Sequence, residues 1–171
     1  GYMAIEHIKV FSSISGVKIV GIHSRTKSKA QSVAIQFNIP FVAETIADLY
    51  EKTKADLLVI AVSELGVYSV VQQAFKYPWL SIIEKPAGYN FENALLIKGL
   101  EVKYKARAFV SFNRRFYNST RLILNEINFK KIEENNKNVI IYYSPNINEG
   151  LIGIIAARLK EFFNKPAIVI T

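Results

Sequence analysis

The sequence predicts a doubly wound α/β fold, in which helices cover both faces of a parallel sheet. Short apolar runs of strand length alternate with amphipathic segments of helical period along the chain. Two of the runs, residues 57–62 and 79–83, are almost entirely apolar, as is typical of strands buried on both faces. Alternation of such strands with helices favours a parallel sheet.

The elements follow in chain order from periodicity and capping residues. Ile5, Ile8 and Phe11 lie three residues apart and predict the buried face of a first helix. Thr45 predicts the start of a later helix, because Asp48 lies three residues further on, as in a capping box. The other predicted helices are residues 26–37, 66–75, 91–103, 118–127 and 149–163. The other predicted strands are residues 17–22, 107–112, 138–143 and 167–170.

The composition excludes several classes of protein. Half of the 171 residues are hydrophobic, so the chain can bury a core and is not disordered. The absence of cysteine excludes a disulfide scaffold and a thiolate metal site, and it fits a cytoplasmic location. No run reaches the roughly 18 to 20 apolar residues of a membrane span, so we expect no membrane partner. The net charge of +8 is spread thinly over the chain and does not favour a nucleic-acid partner.

The start of the chain has features of a dinucleotide site. Gly1 and Ala4 have the spacing of the second and third small residues in the G-x-G-x-x-G/A fingerprint, at the mouth of a helix that can take a pyrophosphate. Ser24, Arg25 and Lys29 follow the next predicted strand, where such folds contact the adenosine ribose. A hydroxyl and two cations suit a 2′-phosphate. The alternative for Arg25 and Lys29 is a solvated helix start.

Several segments, in this order and spacing, resemble the Gfo/Idh/MocA oxidoreductases. They are residues 1–7, 20–30, 56–62 and 83–88, the last of which contains the tripeptide Glu84-Lys85-Pro86 that is typical of the family. Residues 112–117 resemble the entry into the second domain of the family, so the resemblance covers about residues 1–127. It implies a Rossmann-like NAD(P)-binding domain at residues 1–90, with its first strand and first glycine missing, and the start of the second domain at residues 91–127.

The resemblance also implies a site and a reaction. The implied cofactor contacts are Gly1, Ala4, Ser24, Arg25, Lys29, Ala61, Val62, Ser63, Glu84, Lys85 and Pro86, and the implied substrate contacts are Asn113, Arg114 and Arg115. The reaction would be hydride transfer between NADP (or NAD) and a small hydroxyl or carbonyl substrate. Lys85 would move the proton at the substrate oxygen, which a partly desolvated lysine can do near neutral pH.

The resemblance leaves parts of this enzyme outside the chain. Family members complete the site with an acid or imidazole from a C-terminal sheet domain, and this chain has no Asp after Asp56. We therefore expect the chain alone to lack the proton-relay partner of Lys85. In the intact enzyme we expect an oligomer of identical subunits.

Residues 138–171 carry a second resemblance. Residues 139–143, 147–160 and 164–170 resemble the segment that follows the metal-binding domain in RecJ-type single-strand DNA exonucleases of the DHH superfamily. The implied structure is a strand, a loop with Gly150 and Gly153, a helix and a strand. Since the metal-binding Asp and His clusters of these nucleases are not in the chain, we expect neither a metal nor nuclease activity. The polar residues 128–137 are then a linker or a seam between two joined gene segments, with a natural fusion as the alternative.

Two other functions stay open at this point. One is a non-catalytic dinucleotide-binding module in which Lys85 has no chemical role. The other is a nucleic-acid-associated protein, which would rest on the RecJ-like tail and on a net charge of +8 that is not clustered in the sequence.

Overall fold

The computed structural model describes residues 1–118, 139–143, 145 and 151–170, and for Arg114 and Arg115 the backbone alone. The chain divides into two compact units, Gly1–Ser111 and Phe112–Thr171. The seam that the sequence predicts at residues 128–137 lies outside the described residues, and so does all but the first residue of the helix predicted at 118–127.

Helices and strands alternate along the first unit, as the sequence predicts. The helices are α1 (Tyr2–Ser12), α2 (Lys27–Gln36), α3 (Ile46–Thr53), α4 (Glu64–Ala74) and α5 (Phe91–Tyr104). The strands are β1 (Ile22–His23), β2 (Val42–Ala43), β3 (Leu57–Ile60), β4 (Leu80–Glu84) and β5 (Arg107–Ser111).

Parallel pairing throughout confirms the predicted α/β class. Strands β3, β4 and β5 form one sheet in that order, while β1 and β2 form another. Among the described residues β1 and β3 belong to different sheets and each has one paired edge.

The short pair β1 and β2 differs from the prediction. A strand was expected at residues 17–22, but only Ile22 and His23 pair, with Val42 and Ala43. The second strand was not predicted at all. It is short because Pro40 lacks a backbone N–H and α3 begins at Ile46. A ladder cannot extend beyond its shorter partner, so β1 is short as well.

The predicted cap of α3 is confirmed. The hydroxyl of Thr45 accepts a hydrogen bond from the Asp48 N–H at 2.9 Å, and the Asp48 carboxylate accepts one from the Glu44 N–H at 3.1 Å. The first bond satisfies a backbone donor that the first turn of a helix leaves free, and the second ties the residue before the cap to the same turn. Asn90 caps α5 in the same way, accepting from the Asn93 N–H at 2.9 Å.

Two groups of buried side chains hold the first unit. The larger group joins β3, β4, α3, α4 and α5 and consists of Ile46, Ile60, Val67, Val71, Ala74, Phe75, Trp79, Ile83 and Ile97. The smaller one contains Ile8 of α1, Ala34 of α2 and Ile39. The apolar runs predicted as buried strands therefore do supply core residues, while α1 contributes a single fully buried side chain.

The second unit contains a strand, a helix and a strand in the predicted order. A short 3-10 helix, Asn113–Phe116, precedes β6 (Ile140–Tyr143), α6 (Ile152–Phe163) and β7 (Ala167–Ile170). Strands β6 and β7 pair in parallel. Their core is Ile140, Leu151, Ile155, Leu159 and Val169. Within the described part of the chain, each helix is too short or too polar to cross a membrane.

Candidate functional site

Two of the predicted site segments meet at one edge of the larger sheet. Ile60 of β3 lies opposite Ile83 of β4 in a parallel register, so the residues that follow both strands emerge side by side. Ala61 to Ser63 follow β3, and Glu84 to Pro86 end β4 and continue beyond it. The structure thus brings together six of the predicted cofactor contacts.

The segment after β3 is open to a ligand. Val62 is 42% exposed and Ser63 is exposed as well. Ser63 is the N-cap of α4, but its hydroxyl makes no capping hydrogen bond. Donors of the first turn of α4 therefore remain available beside the end of β3.

The segment after β4 places adjacent residues in opposite environments. Glu84 is 6% exposed and accepts a hydrogen bond of 2.7 Å from the Nε2–H of His7 in α1. Lys85 is exposed, and the Lys85–Pro86 peptide bond is cis. The sequence predicts a partly desolvated Lys85, but among the described residues nothing covers its side chain, because Lys85 lies just beyond the buried end of β4.

The start of α1 suits an anion. Gly1 is its N-cap, and the first turn carries no acidic residue. The N–H groups of a first helical turn and the positive end of the helix dipole are suited to a phosphate. Gly1 is exposed and Ala4 is half-buried, so small residues border this end. A dinucleotide pyrophosphate fits this donor set.

The predicted adenosine contacts lie at the end of β1. Ser24 follows the strand, and its hydroxyl accepts from the Thr26 N–H at 3.3 Å. Arg25 and Lys29 are exposed and form no ion pair among the described residues, whereas Lys27 on the same helix start pairs with Glu44. Two cations without carboxylate partners fit a phosphate better than a neutral ribose hydroxyl.

The predicted substrate contacts lie in the second unit. Asn113 begins the 3-10 helix and is exposed. The side chains of Arg114 and Arg115 lie outside the described part of the structure, so their role stays a prediction. The described residues contain no group of three His, Asp or Glu side chains that could hold a metal ion. The RecJ-like interpretation rests partly on residues 147–150, which are also outside that part.

His7 is the site residue that the sequence reasoning missed. It belongs to the segment that resembles the family, but no role was assigned to it. The available signal was a histidine between Ile5 and Ile8, on the side of the helix that faces the protein. Its partner Glu84 is 77 positions away, and no periodicity can indicate such a pairing.

Comparison with known families identifies the first part of the chain. The family model for Gfo/Idh/MocA, described as an oxidoreductase family with an NAD-binding Rossmann fold, matches residues 1–112. A comparison with curated proteins gives no match.

Solved structures with the same fold are oxidoreductases. An oxidoreductase from Agrobacterium radiobacter in complex with NAD+, L-tartaric acid and magnesium has a TM-score of 0.71 at 17% identity, over 95% of this chain and 52% of that one. The myo-inositol dehydrogenase from Lactobacillus casei in complex with NAD(H) and myo-inositol has a TM-score of 0.71 at 19% identity, over 88% and 45%. The myo-inositol 2-dehydrogenase from Lactobacillus plantarum has a TM-score of 0.67 at 16% identity, over 84% and 42%. This chain therefore spans about half the length of these proteins or less.

Proposed function

Since the chain belongs to the Gfo/Idh/MocA oxidoreductase family, we propose that its first unit binds a nicotinamide dinucleotide and supplies the cofactor half of an oxidoreductase active site. The match of residues 1–112 to an NAD-binding Rossmann fold carries this proposal. The small residues Gly1 and Ala4 at the start of α1 and the shared edge of β3 and β4 support it.

Each part of the cofactor has residues of suitable chemistry. Gly1 and Ala4 border the helix end that would hold the pyrophosphate. The residues for the nicotinamide end are Ala61, Val62, Ser63, Glu84, Lys85 and Pro86. When bound, the nicotinamide accepts or donates a hydride.

Lys85 is the residue that we assign to proton transfer. Oxidation of a hydroxyl group releases a proton from oxygen, and a lysine at the sheet edge can take it up. Lys85 is exposed, so a substrate can reach its amino group and remove water from it on binding. The substrate class is a small hydroxylated molecule, because solved relatives of this fold were captured with myo-inositol and L-tartaric acid.

A cofactor with a 2′-phosphate is the better fit to the end of β1. We expect NADPH to bind more tightly than NADH, because Arg25 and Lys29 offer two unpaired cations. Arg25→Ala should weaken NADPH binding by about tenfold and change NADH binding little. Fluorescence titrations with both cofactors measure this preference.

Lys27→Ala is the matched control for Arg25→Ala. It removes the same charge two residues away, but from a side chain that already pairs with Glu44. Its NADPH affinity should stay close to that of the wild type. Equal losses in the two variants would mean that general charge, and no specific 2′-phosphate contact, determines the affinity.

Replacement of Lys85 tests the proposed chemistry. With inositols and other polyols as substrates, Lys85→Ala should lower turnover by about 10²- to 10⁴-fold, because the proton then lacks an acceptor. Lys76→Ala, which changes an exposed lysine away from the sheet edge, is the control. Turnover retained in Lys85→Ala would refute the role of Lys85. Saturable cofactor binding without turnover in the wild type would favour the non-catalytic module.

A further inference from the structure

One hydrogen bond links α1 to the end of β4. The Nε2–H of His7 donates to Oε1 of Glu84 at 2.7 Å, across 77 residues of sequence. Most other ion pairs in the described part of the chain join side chains three positions apart: Lys9–Glu6, Lys54–Glu51, Lys98–Glu101 and Arg158–Glu161. Lys27 and Glu44 also pair over a longer separation, but both of their side chains are exposed, whereas the pair of His7 and Glu84 is largely buried.

The burial of Glu84 gives this pair a desolvation penalty. The side chains of His7 and Glu84 are only 18% and 7% exposed. A buried carboxylate needs a partner, and an apolar residue at the end of a buried strand would avoid that need. Ile82, which lies two residues earlier on the same face of β4, is apolar and half-buried, so apolar side chains do occupy this face. A contribution to stability therefore explains the buried carboxylate of Glu84 poorly. A role in fixing the position of α1 relative to β4 explains it better.

Helix α1 has few other anchors. Ile8 is its one fully buried side chain and packs with Ala34 and Ile39, on the side of α2. Tyr2, Met3 and Val10 are exposed. The helix also packs against β3. Beside this packing, the hydrogen bond of His7 is a direct polar link between α1 and the end of β4.

The two elements carry opposite ends of the proposed cofactor site. Gly1 begins α1 about 9 Å along the helix axis from His7, at a rise of about 1.5 Å per residue. Lys85 follows Glu84 directly. A shift of α1 against β4 would change the distance between the pyrophosphate contacts and the nicotinamide contacts.

We propose that His7 is a positioning residue, which holds Glu84 so that the start of α1 and Lys85 keep the separation that a dinucleotide requires. The inference rests on the proposed function, because it assigns the two ends of one cofactor to α1 and to β4. It predicts a defect that is specific to the whole dinucleotide. A ligand that occupies only the adenosine end does not depend on this separation.

Binding of NADPH and of adenosine 2′-monophosphate to variants of His7 tests the inference. His7→Ala and His7→Leu remove the donor, and His7→Leu keeps most of the side-chain volume. Both should weaken NADPH binding by about tenfold or more, while the affinity for adenosine 2′-monophosphate stays within about twofold of the wild type. His7→Gln, whose amide N–H can still donate to Glu84, should recover most of the NADPH affinity.

Glu6→Ala is the matched control for these variants. Glu6 neighbours His7 on α1, and among the described residues its one ion-pair partner is Lys9, so its loss should leave both affinities unchanged. NADPH affinity equal to that of the wild type in folded His7→Leu would overturn the inference, and so would equal losses for both ligands. A wild-type chain that binds adenosine 2′-monophosphate and NADPH equally weakly would instead refute the proposed function.

Discussion

Two adjacent residues at the end of β4 differ sharply in their exposure to solvent. Glu84 is buried and bonded to His7, while the next residue, Lys85, is exposed. The sequence shows the tripeptide Glu84-Lys85-Pro86, so Glu84 and Lys85 could be identified as candidate site residues before the structure was known. The partner of Glu84, His7, could not be identified from the sequence, because the contact depends on how α1 packs against distant strands.

Gly88 should be essential to the turn that follows Lys85. A Cβ added at Gly88 would lie 2.8 Å from the backbone nitrogen of Ala94, and backbone cannot move aside cheaply. We expect Gly88→Ala to lower the free energy of unfolding by about 1–3 kcal/mol. Urea unfolding followed by the fluorescence of Trp79, the one tryptophan, reports on this unit because Trp79 belongs to its core.

Gly99→Ala is the control for this substitution. Gly99 lies inside α5 with no heavy atom within 4 Å of an added Cβ. Alanine there should raise the free energy of unfolding by about 0.5–1 kcal/mol, since it restricts the unfolded chain and favours the helix. A Gly88→Ala variant as stable as Gly99→Ala would contradict the tight turn.

Elements with local signals were predicted well, and elements that depend on distant partners were not. The cap of α3 uses Thr45 and Asp48, three residues apart, so the sequence reveals it directly. Strands β3 and β4 follow from apolar runs that any buried strand needs. Strand β1 is shorter than predicted and β2 was missed, because their pairing joins residues about 20 positions apart and stops where β2 stops.

Helix α1 starts earlier than its apolar face predicts. The pattern of Ile5, Ile8 and Phe11 indicates only the buried side, but the helix begins at Tyr2 with Gly1 as its N-cap. Tyr2 and Met3 therefore lie outside the apolar pattern and are exposed. The start of the helix is the part of the element that the proposed function needs.

At the scale of the whole molecule, the fold class was predictable because alternation of helices and strands is a property of the entire chain. The strands of Gly1–Ser111 form two parallel sheets, β1 with β2 and β3 with β4 and β5. Which strands pair depends on contacts between distant residues, so the sequence pattern does not show it. Within that unit, α1 connects the two sheets through Ile8 on one side and His7 on the other. Binding of a ligand that contacts both the start of α1 and the end of β4 would depend on the position of α1, which these two residues help to fix.

Titration of the intact chain with NADPH, followed by the cofactor fluorescence, tests the central claim most directly. The account predicts a saturable change with a Kd below millimolar, and a weaker response to NADH. Adenosine 2′-monophosphate should displace NADPH, since both would use Ser24, Arg25 and Lys29 at the end of β1. No saturable change with either cofactor up to millimolar concentration would contradict the assignment of the first unit as a dinucleotide-binding domain.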